Sequence, residues 1–425
     1  MKSQASDTNE TNAMPRDFGF GPDEEMLRDL AKKLLDQEMP IEKMRRLVAA
    51  EPSTTYEEGH RPNWDDALWK QCIELGWTGL AVPESEGGVG FKMVGIAALV
   101  EEVGRHALAS PLIATLNATY VLRESGSAQA STWLGAIAEG ESASLAITNQ
   151  RGAWDTTRPD VVATPKADGF VLNGRAYFVQ DAFKVDFLVV HARCEPAIGE
   201  DGQGDDGSKP DSILCVLRTG DSAESGLELS QDHIHDLTRD QATLVLDDVF
   251  VPASEVVSRD GSQALARAWP AILTTVAADL CGNSEWQLQT TVEYAKTRKQ
   301  FDRPIGFFQA VKHPLVNGMI SIDRARSLVY HASCCIDSNL DRGTEAEQEQ
   351  ALQASRMAKS AASDAGRFMS DRSVQLHGGI GFTWECDVHL YFKRSMHNQM
   401  LYGDATHQRR ALAEMIIGSI SADAG

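Results

Sequence analysis

Apolar positions along the chain follow two different spacings. From Pro22 to about Ala138 they recur at the three-to-four-residue interval of a helix with one buried face. In PDEEMLRDLAKKLLDQ that interval gathers Met26, Leu27, Leu30, Leu34 and Leu35 on one side. Acidic residues fill its first turn, where the helix dipole favours them. NWDDALWKQCIELGWTGL predicts a second helix with Gly76 at its end. VPESEGGVG predicts a loop, because proline and paired glycines cannot continue a helix. MVGIAALVEEVGRHAL and the segments after it predict more helix.

Near Ser142 the spacing shortens. SLAIT, DGFVLNGRAYFV, DFLVVHAR, SILCVLR and ATLVLDDVFVP are short β-type runs divided by turn residues, with LNGR as a hairpin turn. From about Gly261 the helical interval returns. AILTTVAADLCGNSEWQLQTTVEYAKTR, HPLVNGMISIDRARSLVYHASCCID, EQALQASRMAKSAASDAGRFMSDRSVQLHG and DATHQRRALAEMIIGSI predict the long antiparallel helices of a bundle. The expected fold is therefore mainly α with a central β-barrel domain. Its expected parts are a disordered tail over 1–21, an N-terminal helical domain over 22–140, a middle β domain over 141–258 and a C-terminal helical bundle over 259–425. An acidic, Gly-rich stretch at 194–209 reads as a mobile insertion in the β domain.

Charge and cysteine content narrow the function classes. Acidic residues outnumber basic ones by 61 to 40, for a net charge of −21. That balance excludes a nucleic-acid binder, which needs a basic surface, and argues against docking on an anionic membrane. The 7 cysteines show no CxxC or ligand spacing and read as reduced thiols in a cytoplasmic protein. The polar, acidic N-terminus does not resemble a secretory or transit signal. His233 and His235 form an HxH pair in a loop, which is structural far more often than metal-binding, so no metal is expected.

Candidate chemistry concentrates in the last third. Arg298 ends a helix and can clamp a pyrophosphate through its planar fork. Phe301 can stack on a ring, and Gln309 and Gln375 can bond phosphate or hydroxyl groups. Gly378 and Gly379 let backbone amides approach a phosphate closely. YAKTRKQFDRPIGFFQAVKH and QLHGGIGFTWECDVHLYFKRS resemble two specific signatures of the acyl-CoA dehydrogenases. LGWTGLAVPESEGGVG, DGFVLNGRAYFV and LVLDDVFVP are similar to weaker family stretches in the same order. The resemblance spans roughly residues 20 to 420.

That resemblance implies an FAD-dependent oxidoreductase that removes two hydrogens from the α and β carbons of an acyl-CoA. In the family a Glu takes the α-proton, the hydride passes to FAD, and an electron-transferring flavoprotein reoxidises the flavin. The usual assembly is a tetramer, in which elements matching Arg298, Phe301, Gln309, Gln375, Gly378 and Gly379 reach into a neighbour's flavin site.

The chain departs from the family where a subunit builds its own site. Aligned without gaps from Gly381, the catalytic Glu falls on Tyr402, while Gly403, Gln408 and Arg409 still match. The flavin-contacting Thr becomes Asp404. The alternative family base, on the long helix, falls on Ile272, and no Asp or Glu lies between Gly261 and Ala278. The loop that helps hold flavin and thioester reads TNQRGAWD, with Trp154 in place of a small hydroxyl residue. The Trp-Ile-Thr-like triplet on the next strand is Tyr177, Phe178 and Val179.

These departures imply a subunit that lacks the base and shares its site with a paralogous partner. Such heteromeric enzymes include some acting on steroid side chains or other bulky acyl-CoAs. Two alternatives stand beside this reading. One is a homo-oligomeric flavoenzyme whose base has moved to Tyr402 or Asp404. The other is a non-catalytic binding or scaffold protein on the same fold.

Overall fold

A computed structural model describes residues 18, 20–48, 64–152, 157–195, 211–220, 226–339 and 343–418. Nearly all of the expected tail, Trp154, and most of the acidic insertion lie outside the described residues. Six helices come first: α1 (Pro22–Glu38), α2 (Ile41–Val48), α3 (Asp66–Glu74), α4 (Met93–Arg105), α5 (Leu112–Ser125) and α6 (Ala128–Ala138). The face of α1 is narrower than its sequence suggests. Ala31 and Leu35 are buried, whereas Met26 and Leu30 are each 58% exposed, because the stripe that meets α4 takes only part of the apolar set. Asp65 caps α3 by accepting from the Ala67 and Leu68 amides, and Gly76 follows its end with φ +74°.

Eight strands follow: β1 (Ala143–Ala146), β2 (Val162–Lys166), β3 (Gly169–Gln180), β4 (Phe187–Cys194), β5 (Ser212–Arg218), β6 (Leu227–Gln231), β7 (Gln241–Pro252) and β8 (Val256–Ser258). They form one sheet in the order β6-β7-β3-β2-β4-β5-β8, with β1 parallel to β4. LNGR is not a hairpin turn. It lies inside β3, where Gly174 at φ +122° makes a bulge against β7, and the strand runs on. β4 is buried on both faces. Phe187 and Val189 join the core shared with the helices, while Leu188 and Val190 join the sheet's own core.

The second helical region holds α7 (Gly261–Thr297), α8 (Gln309–Asp337), α9 (Glu345–His377), α10 (Val388–Met400) and α11 (Ala405–Ile417). A short hairpin of β9 (Lys299–Gln300) and β10 (Arg303–Pro304) separates α7 from α8. The helices α7, α8 and α9 pack on one another, and α7 also packs on α4 and α5. At the α4–α7 crossing a Cβ on Gly282 would overlap the Glu101 carbonyl, so only glycine allows the helices this close. One long helix thus contacts the N-terminal helices, the sheet and the rest of the bundle. No described helix is long and apolar enough to cross a membrane.

Candidate functional site

Two regions hold the residues singled out by sequence. The first is a face at the ends of α7 and α9. Tyr294, one turn before Arg298, stacks on His377 with ring centroids 4.3 Å apart, and this contact joins the two helix ends. Arg298 is the residue at which α7 stops, and its backbone turns extended there. The chain then makes the β9–β10 hairpin through Phe301 and Asp302, both with left-handed φ (+53° and +62°). Two consecutive positive φ values are those of a type I′ turn, which non-glycine residues adopt at a cost. The hairpin lifts Phe301 out of the fold, 85% exposed.

Arg298, Phe301, Gln309, Gln375, Gly378 and Gly379 are all exposed. Gly378 ends α9 at φ +67°, ψ −144°, a conformation that only glycine holds readily, and a Cβ there would point into open space. Among the described residues no side-chain hydrogen bond or ion pair occupies Arg298, Gln309 or Gln375. Phe307 and Phe382 add apolar surface, 53% and 66% exposed.

The second region is the joint between the sheet and the bundle, where Tyr402 lies. The turn between α10 and α11 puts Tyr402 at φ +57° and Gly403 at φ +96°. Three side chains hold that turn. Lys359 of α9, fully buried, donates to the carbonyls of Gln399 (2.9 Å) and Gly403 (3.1 Å) and to Ser363 Oγ (3.1 Å). Gln408 donates to the Tyr402 carbonyl (2.7 Å), and Arg356 donates to Gln408 Oε1 (2.8 Å). Tyr402 is 6% exposed, packs edge-on against Trp269 with centroids 5.4 Å apart, and lines the same small cavity as Asn117 of α5. Burial pushes its phenol up to about 12, although the Asn117 amide acts in the other direction. Ile272 is completely buried. Asp404 caps α11 by accepting from the His407 amide (2.8 Å).

Beside Tyr402 runs a buried ion network that sequence reasoning missed. Asp279 of α7 accepts from Arg394 Nη2 (2.9 Å), from Arg239 Nη2 (2.6 Å) and from Asn398. Burial opposes its ionisation, but Arg394 and Arg239 hold its pKa below the ordinary carboxylate value. Arg394 also donates to Thr238 Oγ1 (2.7 Å), which donates to Asp236 (2.7 Å). Arg239 reaches Asp181 at 3.8 Å. Lys184 lies 3.4 Å from Asp181 and 3.6 Å from Asp240. The sheet side contributes Asp181, Lys184, Asp236, Arg239 and Asp240, and the bundle side contributes Asp279 and Arg394. Four carboxylates face three cations, and burial pushes Asp240 up to about 6. The only sequence signal for this network was an Asp set in an apolar run, VAADLCG. Among the described residues, a cavity lined by Asn117, Gln180, Asp181, Arg239, Leu401 and Tyr402 has a volume of about 10 Å³.

The triplet Tyr177–Phe178–Val179 lies on a bulge of β3, with Phe178 at φ +58°; Val179 is turned into the sheet's own core. His233 and His235 are exposed in the loop before β7, and no cluster of metal-ligating side chains occurs among the described residues.

Two family models match, the acyl-CoA dehydrogenase N-terminal domain over residues 21–141 and the acyl-CoA dehydrogenase C-terminal domain over residues 274–417. Together they take in more than half of the chain. The chain belongs to the acyl-CoA dehydrogenase family. It is 29% identical over 333 residues to acyl-CoA dehydrogenase IpdE2 of Mycobacterium tuberculosis, covering 78% of this chain and 81% of that one. Among solved structures it is similar to a variant of the Tcur3481–Tcur3483 steroid ACAD, with TM-score 0.76, 26% identity and coverage of 93% and 98%. It also shares its fold with the ChsE4–ChsE5 complex of Mycobacterium tuberculosis, with TM-score 0.79, 24% identity and coverage of 95% and 99%.

An acyl-CoA dehydrogenase works with FAD. The two regions of this chain differ in how they fit that cofactor. The face at the ends of α7 and α9 offers a free guanidinium, two free amides, an outward aromatic ring and open glycine backbone, which suit phosphates and a ring. The joint offers space for about one water molecule, since a water needs roughly 10–15 Å³.

Proposed function

We propose that this chain is the subunit of a heteromeric acyl-CoA dehydrogenase that does not supply the proton-abstracting base. The family reaction is FAD-dependent dehydrogenation of an acyl-CoA at its α and β carbons, and the flavin, when bound, accepts the hydride. The observation that carries the reading is the state of Tyr402. With its phenol pushed up to about 12, ionisation at neutral pH costs five units. That is about 7 kcal/mol, or a rate factor on the order of 100,000. Ile272 has no basic group, and the Asp404 carboxylate is committed to its helix cap.

What this chain contributes is the exposed face. Arg298 would clamp the pyrophosphate of a flavin held by the neighbouring subunit, Gln309 and Gln375 would bond its polar groups, Phe301 would cover a ring, and Gly378 and Gly379 would admit its phosphates. The neighbour is a paralogous family member that carries the Glu. The likeness to a steroid enzyme named for two proteins supports such a pairing. It also favours a bulky, steroid-bearing acyl-CoA as substrate. The acceptor, as elsewhere in the family, is an electron-transferring flavoprotein.

The test is anaerobic addition of acyl-CoA to the purified chain, alone and co-expressed with a Glu-bearing paralogue, while following flavin bleaching. Bleaching and turnover are expected only with the paralogue. Oxidation of acyl-CoA by the chain alone at ordinary family rates would sink the proposal.

A further inference from the structure

We infer that the sheet–bundle joint of this chain is a lock built from its own side chains, and that the chain holds no flavin of its own. The inference takes only the cofactor's identity from the proposed function. The base could be missing from a subunit that still holds a flavin, so the two claims are separable.

Pockets for ligands of cofactor size run to about 300–1,000 Å³ and favour domain interfaces. The interface between sheet and bundle is such a place, and beside Tyr402 it retains about 10 Å³. The Tyr402 ring, the Asn117 amide and Leu401 take up the volume.

The filling cannot swing aside by a simple rotamer change. Tyr402 sits in left-handed backbone, and Lys359 and Gln408 grip the carbonyls on either side of that residue's turn. On the other wall, opening the joint would separate Asp279 from Arg239, and Arg394 from Thr238. It would leave charges buried without partners, because Asp279, Arg239 and Arg394 are each at most 4% exposed. His397 of α10 reaches Gln180 of β3 at 2.8 Å and adds a further tie across the joint.

The network replaces with protein charges the contact that a bound ring would otherwise make between sheet and bundle. The two parts are therefore joined with no ligand between them, and folding of this chain is independent of flavin. In an assembly with an open-cleft paralogue, flavin is then present at one per pair of chains, and this chain touches it only through the Arg298 face.

The test uses the full chain alone. It is purified, its flavin content is read from the visible spectrum, and its melting temperature is measured with and without excess FAD. A second sample is unfolded, refolded with excess FAD and desalted. The expected result is a colourless chain whose melting temperature FAD leaves unchanged, and which returns from refolding without flavin. One flavin per chain after desalting, or a clear rise in melting temperature with FAD, would overturn the inference. If refolding fails, the content of the natively purified chain and the melting shift still decide. A chain that carries one flavin but leaves it unbleached by acyl-CoA would overturn the lock and leave the missing base standing. A flavin-free chain that gives no turnover with a Glu-bearing paralogue would uphold the lock and remove the proposed function.

Discussion

The face at the ends of α7 and α9 and the joint around Tyr402 are made from the same kinds of group, arginines, amides and aromatic rings. In the face they are exposed and unspent. Arg298 has no partner among the described residues, Phe301 is lifted out on a strained hairpin, and Gly378 and Gly379 open onto space. In the joint they are consumed. Arg239 and Arg394 neutralise Asp279, Asn117 and Tyr402 close on one small cavity, and that cavity has room for about one water. A guanidinium is a recognition group only while it lacks an internal partner. Once buried and paired it becomes part of the fold, and removing either partner strands the other.

Four measurements would break or sharpen this contrast. The largest effect belongs to Asp279→Ala. It leaves two arginines buried without their carboxylate, so urea denaturation should show a loss of about 3–5 kcal/mol. A loss below about 1 kcal/mol would mean that the network is not closing the joint.

Lys359 comes next. Burial brings its pKa down to about 7, although Asp404 pulls it the other way. Its folded pKa is thus below its unfolded one, and the unfolded chain binds more protons between pH 7 and the ordinary lysine value. Stability therefore rises with pH across that window, by an amount on the order of 4 kcal/mol. The penalty is fully present below pH 7. In Lys359→Met this part of the rise should vanish when unfolding is compared at neutral and alkaline pH. An unchanged pH slope would show that the amine is not buried in its charged-averse setting.

Arg298→Ala tests the face. It should weaken flavin binding in the assembled enzyme by roughly 10- to 100-fold, the worth of a charged hydrogen-bonding group, and change the stability of the isolated chain by less than about 0.5 kcal/mol. Equal loss of stability would mean that Arg298 serves the fold. The smallest effect is expected from Tyr402→Phe. Removing one buried hydroxyl should cost no more than about 1 kcal/mol, and turnover of the assembled enzyme should not change. A collapse in turnover would instead restore Tyr402 as the base.

The spacing of apolar residues announced most helices and most strands because each buries a face with its own period, while α2 and α10 were not singled out. The strands β2 and β6 escaped because they are short and partly exposed, β8 because it is only three residues long, and in β3 the LNGR stretch carried turn chemistry into a bulge. The narrowing of the α1 face was equally hidden, since an apolar residue in the right phase need not meet a neighbour.

By itself the sequence determined the family signatures, the presence of Tyr402 where the resemblance aligns the family Glu, and the lack of any Asp or Glu between Gly261 and Ala278. Those are local identities at fixed offsets within single segments. Only the tertiary structure decided that Tyr402 fills its surroundings, that Asp404 is spent on a cap, and that Asp279 meets Arg239 and Arg394. Asp279 and Arg394 are 115 residues apart in the chain. No spacing rule links them, and a charge pair becomes strong only when packing removes both members from water.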